Sequence, residues 1–134
     1  MSDCIFCNII SGAAPCHKLY EDDHVVAFLD IFPSVLGHTL VVPKKHSNNV
    51  LGLDPHEAEA AIGAIQKLAP GLVKAVGAEG FNIGCNTGAA AGQVVHHTHF
   101  HILPRRSDDG KRMWGQMDPK PDLDALIETI RKEL

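Results

Sequence analysis

The spacing of apolar positions along the chain predicts an antiparallel sheet interrupted by one long helix. Runs rich in β-branched and aromatic residues predict strands at residues 24–30, 38–42, 81–85 and 93–104, with a further strand ending at Leu19-Tyr20. Small or polar residues predict a loop at residues 86–92 and an irregular segment at residues 105–121. About five strands interrupted by one long helix indicate an α+β fold.

Apolar residues at helical spacing predict three helices. They are a short turn at residues 4–10, a long helix that begins at Asp54 and is ended by Gly77 and Gly80, and a short C-terminal helix at residues 122–134. Asp54 can accept from free amides as the N-cap, and Pro55 suits the first helical position. Pro70 falls inside the long helix and removes one backbone hydrogen bond, so we expect a kink or break there.

The composition fits one soluble globular domain. The 134 residues are 45% hydrophobic and 21% charged, so we expect a single domain over residues 1–134. The net charge of −4 provides no basic field for a nucleic-acid backbone. The chain shows no secretory signal pattern and no apolar run of membrane-spanning length. We therefore expect a cytoplasmic protein with neither a nucleic-acid nor a membrane partner.

Histidine is unusually abundant, with nine residues. His97, His99 and His101 alternate with other residues, so on a strand all three would leave the same face. A neutral imidazole can attack phosphorus, and its neighbours can donate hydrogen bonds to phosphate oxygens. Two other interpretations of the run are a three-histidine metal site and a coincidental polar face. A reduced C-x-x-C pair, Cys4 and Cys7, favours metal or redox chemistry over a structural disulfide.

The histidine run also carries a resemblance to a known family. Residues His97 to Leu103, HTHFHIL, match the histidine-triad pattern, and the chain resembles the histidine-triad (HIT) family, most closely its Hint-like and bacterial Hit branch. Further blocks in the family's order are CIFCNII at 4–10, FLDI at 28–31, GHTLVVPKKH at 37–46, Asn86, and AGQVVHHTHFHILPR at 91–105. The resemblance implies a HIT-like fold and a homodimer in which two sheets join.

The resemblance also implies a mechanism. His99 would attack the α-phosphorus of a purine nucleoside monophosphate conjugate, such as a nucleoside phosphoramidate, and carry a transient nucleotidyl group that water releases. His101 would bind the phosphate and help manage the leaving-group proton, His97 would orient His99, and His38 would be the fourth active-site histidine. By itself His38 could also be a surface histidine at a strand end. Two other functions remain open: dinucleoside polyphosphate hydrolysis, and nucleotide-binding regulation with incidental turnover.

Family likeness assigns a substrate-binding set as well. It comprises apolar base walls (Ile5, Phe6, Phe28, Ile31), the ribose-binding Asp30, the phosphate-contacting Asn86, and loop amides of Gly92, Gln93 and Val95. Taken singly, the apolar residues are more typical of a core. The chain departs from eukaryotic Hint proteins at Val94, where those proteins carry a serine. Because valine cannot make that hydrogen bond, the departure bears on the leaving group and not on the nucleophile.

Cys4, Cys7, His46 and His97 have the composition of a tetrahedral Cys₂His₂ zinc site. Several bacterial Hit proteins that the chain resembles bind zinc at the corresponding positions, so we expect a structural Zn²⁺ here. The alternative is that the two cysteines are free or disulfide-linked and that His97 only orients His99.

Overall fold

The computed structural model describes residues 2–110 and 113–134 of the chain. Lys111 and Arg112, within the irregular segment predicted at 105–121, lie outside the described residues, as does Met1. Within the described residues, five strands form one antiparallel sheet in the order β1-β2-β3-β5-β4, and three α-helices accompany it. The bounds are α1 Ile5–Ser11, β1 Lys18–Glu21, β2 Val25–Leu29, β3 Thr39–Pro43, α2 Pro55–Ala75, β4 Gly80–Gly84, β5 Phe100–Arg105 and α3 Leu123–Arg131. The predicted α+β class is confirmed.

Strands β2 and β3 are buried on both faces, which explains their unbroken apolar runs. One face of β2, with Val25 and Leu29, packs against α2 and α3 in the larger core. The other face, with Val26 and Phe28, packs with Phe6 of α1 in a smaller core. The short helix α1 therefore lies on the opposite side of the sheet from α2.

Helix α2 begins as predicted but does not break. The Asp54 side chain accepts a hydrogen bond from the His56 amide at 2.8 Å, and Pro55 is the first helical residue. The helix continues without interruption through Pro70, so of the predicted kink or break, the break is wrong. Proline has no N–H to donate to the carbonyl of Gln66, four residues earlier. Pro70 and Gln66 both lie on the exposed face of the helix, where water can replace this backbone hydrogen bond. None of the helices among the described residues is long and apolar enough to cross a bilayer.

Strand β5 is shorter than predicted at its N-terminal end. It begins at Phe100, so His101 is in the strand and His97 and His99 precede it. The pairing with β3 ends at Phe100, which lies opposite Val41. Among the described residues, no strand pairs with the stretch that precedes Phe100. The preceding stretch bonds to a loop instead, since the Thr98 amide donates to the Ser47 carbonyl at 2.8 Å. The prediction that all three histidines stand on one strand is therefore wrong.

Candidate functional site

Four histidines are buried on the α1 side of the sheet: His38, His97, His99 and His101. His38 immediately precedes β3, and His101 lies opposite Leu40 of β3 in the sheet register. Only 3% of His38 is exposed, so the alternative of a surface histidine is wrong. We call His38, His99 and His101 the histidine cluster. The His101 ring lies between the other two, with its centroid 4.9 Å from that of His99 and 5.1 Å from that of His38.

The ring of His99 is held in one tautomer. Its Nδ1–H donates to the His97 carbonyl oxygen at 2.7 Å, because a carbonyl can only accept. Nε2 therefore keeps its lone pair. Burial lowers the pKa of His99, against the opposing effects of that hydrogen bond and of Asp30. The ring also packs edge-to-face on Phe6, with centroids 5.1 Å apart. His99 is thus a neutral, oriented imidazole with an available nitrogen lone pair at neutral pH.

His38 and His101 form a directional hydrogen-bond chain. The Ser34 amide donates to His38 Nδ1 at 3.0 Å, so the proton of His38 is on Nε2. His38 Nε2–H then donates to His101 Nδ1 at 2.8 Å, which leaves the proton of His101 on Nε2. That Nε2 is buried and has no partner among the described residues. The series of hydrogen bonds therefore ends in the N–H of His101 Nε2, for which no acceptor is present among the described residues.

Burial keeps the imidazole rings of His38 and His101 neutral. It lowers the pKa of His38 to about 4, with a smaller effect from His99. Burial, followed by the neighbouring His38 and His99, lowers the pKa of His101 to about 3. At neutral pH His101 is consequently a hydrogen-bond donor without a net charge.

Asp30 and the predicted apolar walls lie beside the cluster. Asp30 Oδ2 is 3.5 Å from His38 Nε2, while its Oδ1 accepts from the Phe32 amide at 2.8 Å. Phe6 and Phe28 are buried and pack edge-to-face, with ring centroids 5.6 Å apart. The two isoleucines differ, since Ile5 is 48% and Ile31 is 51% exposed. Two members of the predicted wall thus belong to the core, and two present apolar surface to solvent.

The loop before the histidine run is built on internal hydrogen bonds. Asn86 Nδ2 donates to the Gly92 carbonyl at 3.4 Å, where Gly92 adopts a positive φ of 94°. The amides of Gly92 and Gln93 donate to the carbonyls of Ala89 and Gly88. These two amides, predicted to contact the substrate, are thus engaged within the loop in this conformation.

The Gln93 side chain ties this loop to a second one. It is buried, and its Nε2 donates to the Asn48 carbonyl at 2.6 Å and to the Val95 carbonyl at 3.1 Å. The neighbouring Val94 is 85% exposed. Gln93 therefore positions the loop, and Val94 stands at its surface.

The four predicted metal ligands converge on one point, and we call them the Cys–His cluster: Cys4, Cys7, His46 and His97. Cys4 Sγ lies 3.3 Å from His97 Nδ1, and Cys7 Sγ lies 3.4 Å from His46 Nδ1. Zinc bonds of about 2.0–2.3 Å at tetrahedral angles place ligand atoms roughly 3.3–3.8 Å apart. The separations in the cluster are close to this range, and the cysteines are free thiols.

The tautomers in the Cys–His cluster provide a test of metal binding. His97 Nε2–H donates to the Pro43 carbonyl at 2.7 Å, and His46 Nε2–H donates to Asn48 Oδ1 at 3.2 Å. Both Nδ1 atoms therefore carry lone pairs, and they face each other at 3.0 Å. Two facing lone pairs repel unless a proton or a metal cation lies between them, and the thiols of Cys4 and Cys7 lie close enough to supply the proton or to join as ligands. The donor set of two sulfurs and two imidazole nitrogens is the one that Zn²⁺ prefers.

Sequence reasoning missed two contributors to the site. The Ser34 amide sets the tautomer of His38, and the Trp114 ring packs against His101 with centroids 4.9 Å apart. A backbone donor leaves no side-chain signal, and Trp114 lies in a polar stretch with no periodicity. Only the Trp114-Gly115 pair stood out there as a signal.

Comparisons with known proteins match the sequence and the fold of the chain. The family model for the HIT domain matches residues 11–108. Protein hit of Bacillus subtilis is 42% identical over 137 residues, covering 98% of this chain and 94% of that protein. Adenylylsulfatase HINT3 of Arabidopsis thaliana is 44% identical over 108 residues, covering 81% of this chain and 55% of that protein. The crystal structure of a zinc-bound histidine triad family protein from Mycobacterium smegmatis has a TM-score of 0.86 at 36% identity, covering 98% of this chain and 92% of that one.

Proposed function

The chain belongs to the HIT family of nucleotide-binding hydrolases and transferases, and on this premise we propose that it cleaves purine nucleoside monophosphate conjugates, such as nucleoside phosphoramidates, at the α-phosphorus. The reaction passes through a nucleotidyl group on His99. The observation that carries the proposal is the hydrogen bond from His99 Nδ1–H to the His97 carbonyl at 2.7 Å. It leaves a buried, neutral imidazole with the Nε2 lone pair available for attack.

The reaction has two steps. In the first, the Nε2 lone pair of His99 forms a bond to phosphorus, and the bond from phosphorus to the leaving nitrogen breaks. The leaving amine keeps the bonding electron pair and takes up one proton from water, while His101 Nε2–H donates a hydrogen bond at the reacting group. In the second step water attacks phosphorus, the Nε2–phosphorus bond breaks, and the proton of the water returns to solvent. The products are a nucleoside monophosphate and an amine.

The other predicted residues bind the substrate. Asp30 accepts hydrogen bonds from the ribose hydroxyls, and Asn86 donates to a phosphate oxygen. Ile5 and Ile31 present exposed apolar surface for the base, backed by the buried Phe6 and Phe28. The loop of Gly92, Gln93 and Val95 flanks the phosphate; the bonding of the Gln93 side chain favours a positioning role for that residue.

The Cys–His cluster would hold a structural Zn²⁺. The facing lone pairs of His46 and His97 support this proposal, as does the zinc-bound relative from Mycobacterium smegmatis. With four protein ligands the ion has no open position, so it supplies stability and not reaction chemistry. It would connect α1, which carries Phe6, to the segment that carries His97. Cysteine ligands of this kind suit a reducing compartment, and we propose a cytoplasmic location.

We also propose that the whole chain acts as one domain and forms a homodimer through the β4 edge of the sheet. Strand β4 is at the end of the strand order, and its Phe81 and Ile83 are 40% and 47% exposed. An exposed apolar edge strand is a template for pairing with a second copy. Size-exclusion chromatography should give about twice the chain mass of 14.5 kDa. Elution at the mass of one chain would contradict the dimer.

A substrate panel tests the proposed function. Adenosine and guanosine phosphoramidates, a dinucleoside polyphosphate and adenosine 5′-phosphosulfate are compared with wild type and with His99→Gly. We expect phosphoramidate cleavage, a nucleotidyl adduct on the His99 peptide after rapid quenching, and loss of both in the variant. Cleavage that survives in His99→Gly would contradict the nucleophile. Preferred cleavage of the polyphosphate would favour a dinucleoside polyphosphate hydrolase, and AMP binding without any cleavage would favour a regulatory protein.

A further inference from the structure

A segment after β5 crosses the site at His101. We call residues 113–117 the 113–117 strap. Its Trp114 ring lies nearly perpendicular to the His101 ring, with centroids 4.9 Å apart and an interplanar angle of 76°. The same indole lies over Gly84, the sheet partner of His101, so closely that a Cβ at Gly84 would be 3.1 Å from indole Cη2. Trp114 therefore packs over the point where β4 and β5 present His101.

The strap is fixed to the peptide group that orients the histidine cluster. The Met117 amide donates to the Pro33 carbonyl at 2.8 Å. The N–H of that same Pro33–Ser34 peptide donates to His38 Nδ1 at 3.0 Å. A little further along, Lys120 Nζ lies 5.7 Å from the ring centroid of Phe32, in the same loop as Pro33. The strap therefore has a defined position relative to His38 and His101.

The surroundings of His101 Nε2 specify what can bind there. This buried N–H has no partner among the described residues, so it favours a ligand atom that accepts a hydrogen bond. Beside the His101 ring stands the Trp114 indole, which is 40% exposed and offers a flat apolar surface. A ligand that satisfies both features has an acceptor atom attached to a flat apolar body. The nitrogen or oxygen that joins a leaving group to phosphorus, with an aromatic substituent on it, meets this description.

We propose that Trp114 forms the wall of the leaving-group subsite and selects conjugates whose leaving group carries an aromatic ring. The proposal rests on the proposed function, since it names the half of the substrate that leaves. The nucleotide half is bound by other residues, so Trp114 contributes to the affinity for the conjugate and little to the affinity for AMP.

The first test compares two adenosine 5′-phosphoramidates, one of methylamine and one of benzylamine. Trp114→Ala should lower kcat/KM for the benzylamine conjugate about tenfold more than for the methylamine conjugate, because only the former loses a ring contact. Trp114→Phe should restore most of the difference. An equal loss for both conjugates in Trp114→Ala would overturn the proposal, because a merely structural role affects both alike.

A matched pair of glycine variants displaces the ring without removing it. Gly84→Val pushes a side chain into the indole, whereas Gly80→Val introduces the same change in β4 where nothing lies within 4 Å. We expect Gly84→Val to lower the benzylamine preference and Gly80→Val to leave it unchanged. An unchanged preference in Gly84→Val, with a benzylamine preference present in wild type, would overturn the assignment.

Binding measured without turnover separates this proposal from the proposed function. In the His99→Gly background, calorimetry with AMP and both conjugates reports affinity alone. We expect the benzylamine conjugate to bind about tenfold more tightly than the methylamine conjugate, and to lose this advantage when Trp114→Ala is added. Trp114 is also the chain's single tryptophan, so its emission should change with the benzylamine conjugate and much less with AMP. This pattern in a protein that cleaves neither conjugate would overturn only the proposed function, and equal affinities would overturn the Trp114 subsite.

Discussion

The histidine cluster and the Cys–His cluster are built from the same side chain in two different ways. In the Cys–His cluster, His46 and His97 each donate their Nε2–H away from the centre, so both Nδ1 lone pairs point inward. In the histidine cluster, donors and acceptors alternate from the Ser34 amide through His38 to His101. The first arrangement gathers lone pairs at one point, as a cation site does, and the second presents the N–H of His101 Nε2 at its end.

The comparison teaches that the far nitrogen of an imidazole decides its chemistry. A carbonyl on Nε2 gives His97 a ligand lone pair at Nδ1, whereas a carbonyl on Nδ1 gives His99 a lone pair at Nε2. Two histidines only two residues apart therefore serve different clusters. Each of the following predictions changes one of the two clusters, or a residue beside it.

The largest effect should follow His101→Asn. We expect kcat on an adenosine phosphoramidate to fall by about 10²–10⁴-fold, because the N–H donor at the reacting group is lost. The zinc content, measured by metal analysis of protein purified without chelator, should stay near that of wild type. Zinc lost together with activity would show that the two clusters are not separable.

Cys4→Ser changes the Cys–His cluster instead. The variant should lose zinc and lower the free energy of unfolding by about 3 kcal/mol, because a bound metal stabilises only the folded chain. Denaturant unfolding with and without chelator measures this effect, and Cys16→Ser, a thiol outside the cluster, is the matched control. A wild-type protein whose stability does not respond to chelator would contradict a structural metal.

Acid should destabilise the fold through the histidine cluster. The folded pKa values of about 4 for His38 and about 3 for His101 lie below the ordinary 6.5. As the pH falls from 6.5 toward 4, the unfolded chain gains protons that the folded chain does not, so the free energy of unfolding decreases. Each histidine contributes a slope of up to about 1.4 kcal/mol per pH unit. Urea unfolding at several pH values should give a smaller slope for His38→Gln than for wild type, and equal slopes would contradict the assignment.

The smallest effect is expected at Asp30, beside the histidine cluster. Asp30→Asn should weaken AMP binding about tenfold, because a charged acceptor for the ribose hydroxyls becomes a neutral one. Asparagine can still accept from the Phe32 amide, so the loop is preserved. The loss should disappear when calorimetry is repeated with 2′,3′-dideoxy-AMP. An equal loss with the dideoxy nucleotide would contradict the ribose contact.

Local patterns predicted the parts of the fold whose cause is local. Asp54 and Pro55 begin α2 as expected, and the apolar runs of β2 and β3 are within one residue of their predicted bounds. The start of β5 could not be predicted this way, because it depends on where β3 stops pairing and on a hydrogen bond between Thr98 and Ser47. The uninterrupted α2 likewise depends on the exposure of Pro70, which one-dimensional spacing does not specify.

The site followed a similar division. Residue types and the family resemblance together pointed to the candidate metal ligands and to the active-site histidines, and the structure brings the predicted members of each cluster together. Their protonation pattern was not available from the sequence, since it depends on the Pro43 carbonyl and the Ser34 amide from other segments. Trp114 was missed as a site residue for the same reason: its contact with His101 joins positions from separate segments.

The hydrogen bonds between Ser47 and Thr98 have a consequence for the entropy of ion binding. The Thr98 amide donates a hydrogen bond to the Ser47 carbonyl at 2.8 Å, and the hydroxyl groups of the two residues lie 2.6 Å apart. Ser47 follows His46 directly, and Thr98 follows His97 directly. Closing a loop of about 50 residues costs chain entropy that grows with loop length. Here that closure is completed by the fold itself, before any ion arrives. An ion bound at the Cys–His cluster would therefore not have to bring His46 and His97 together, and we expect it to exchange in and out of a folded protein.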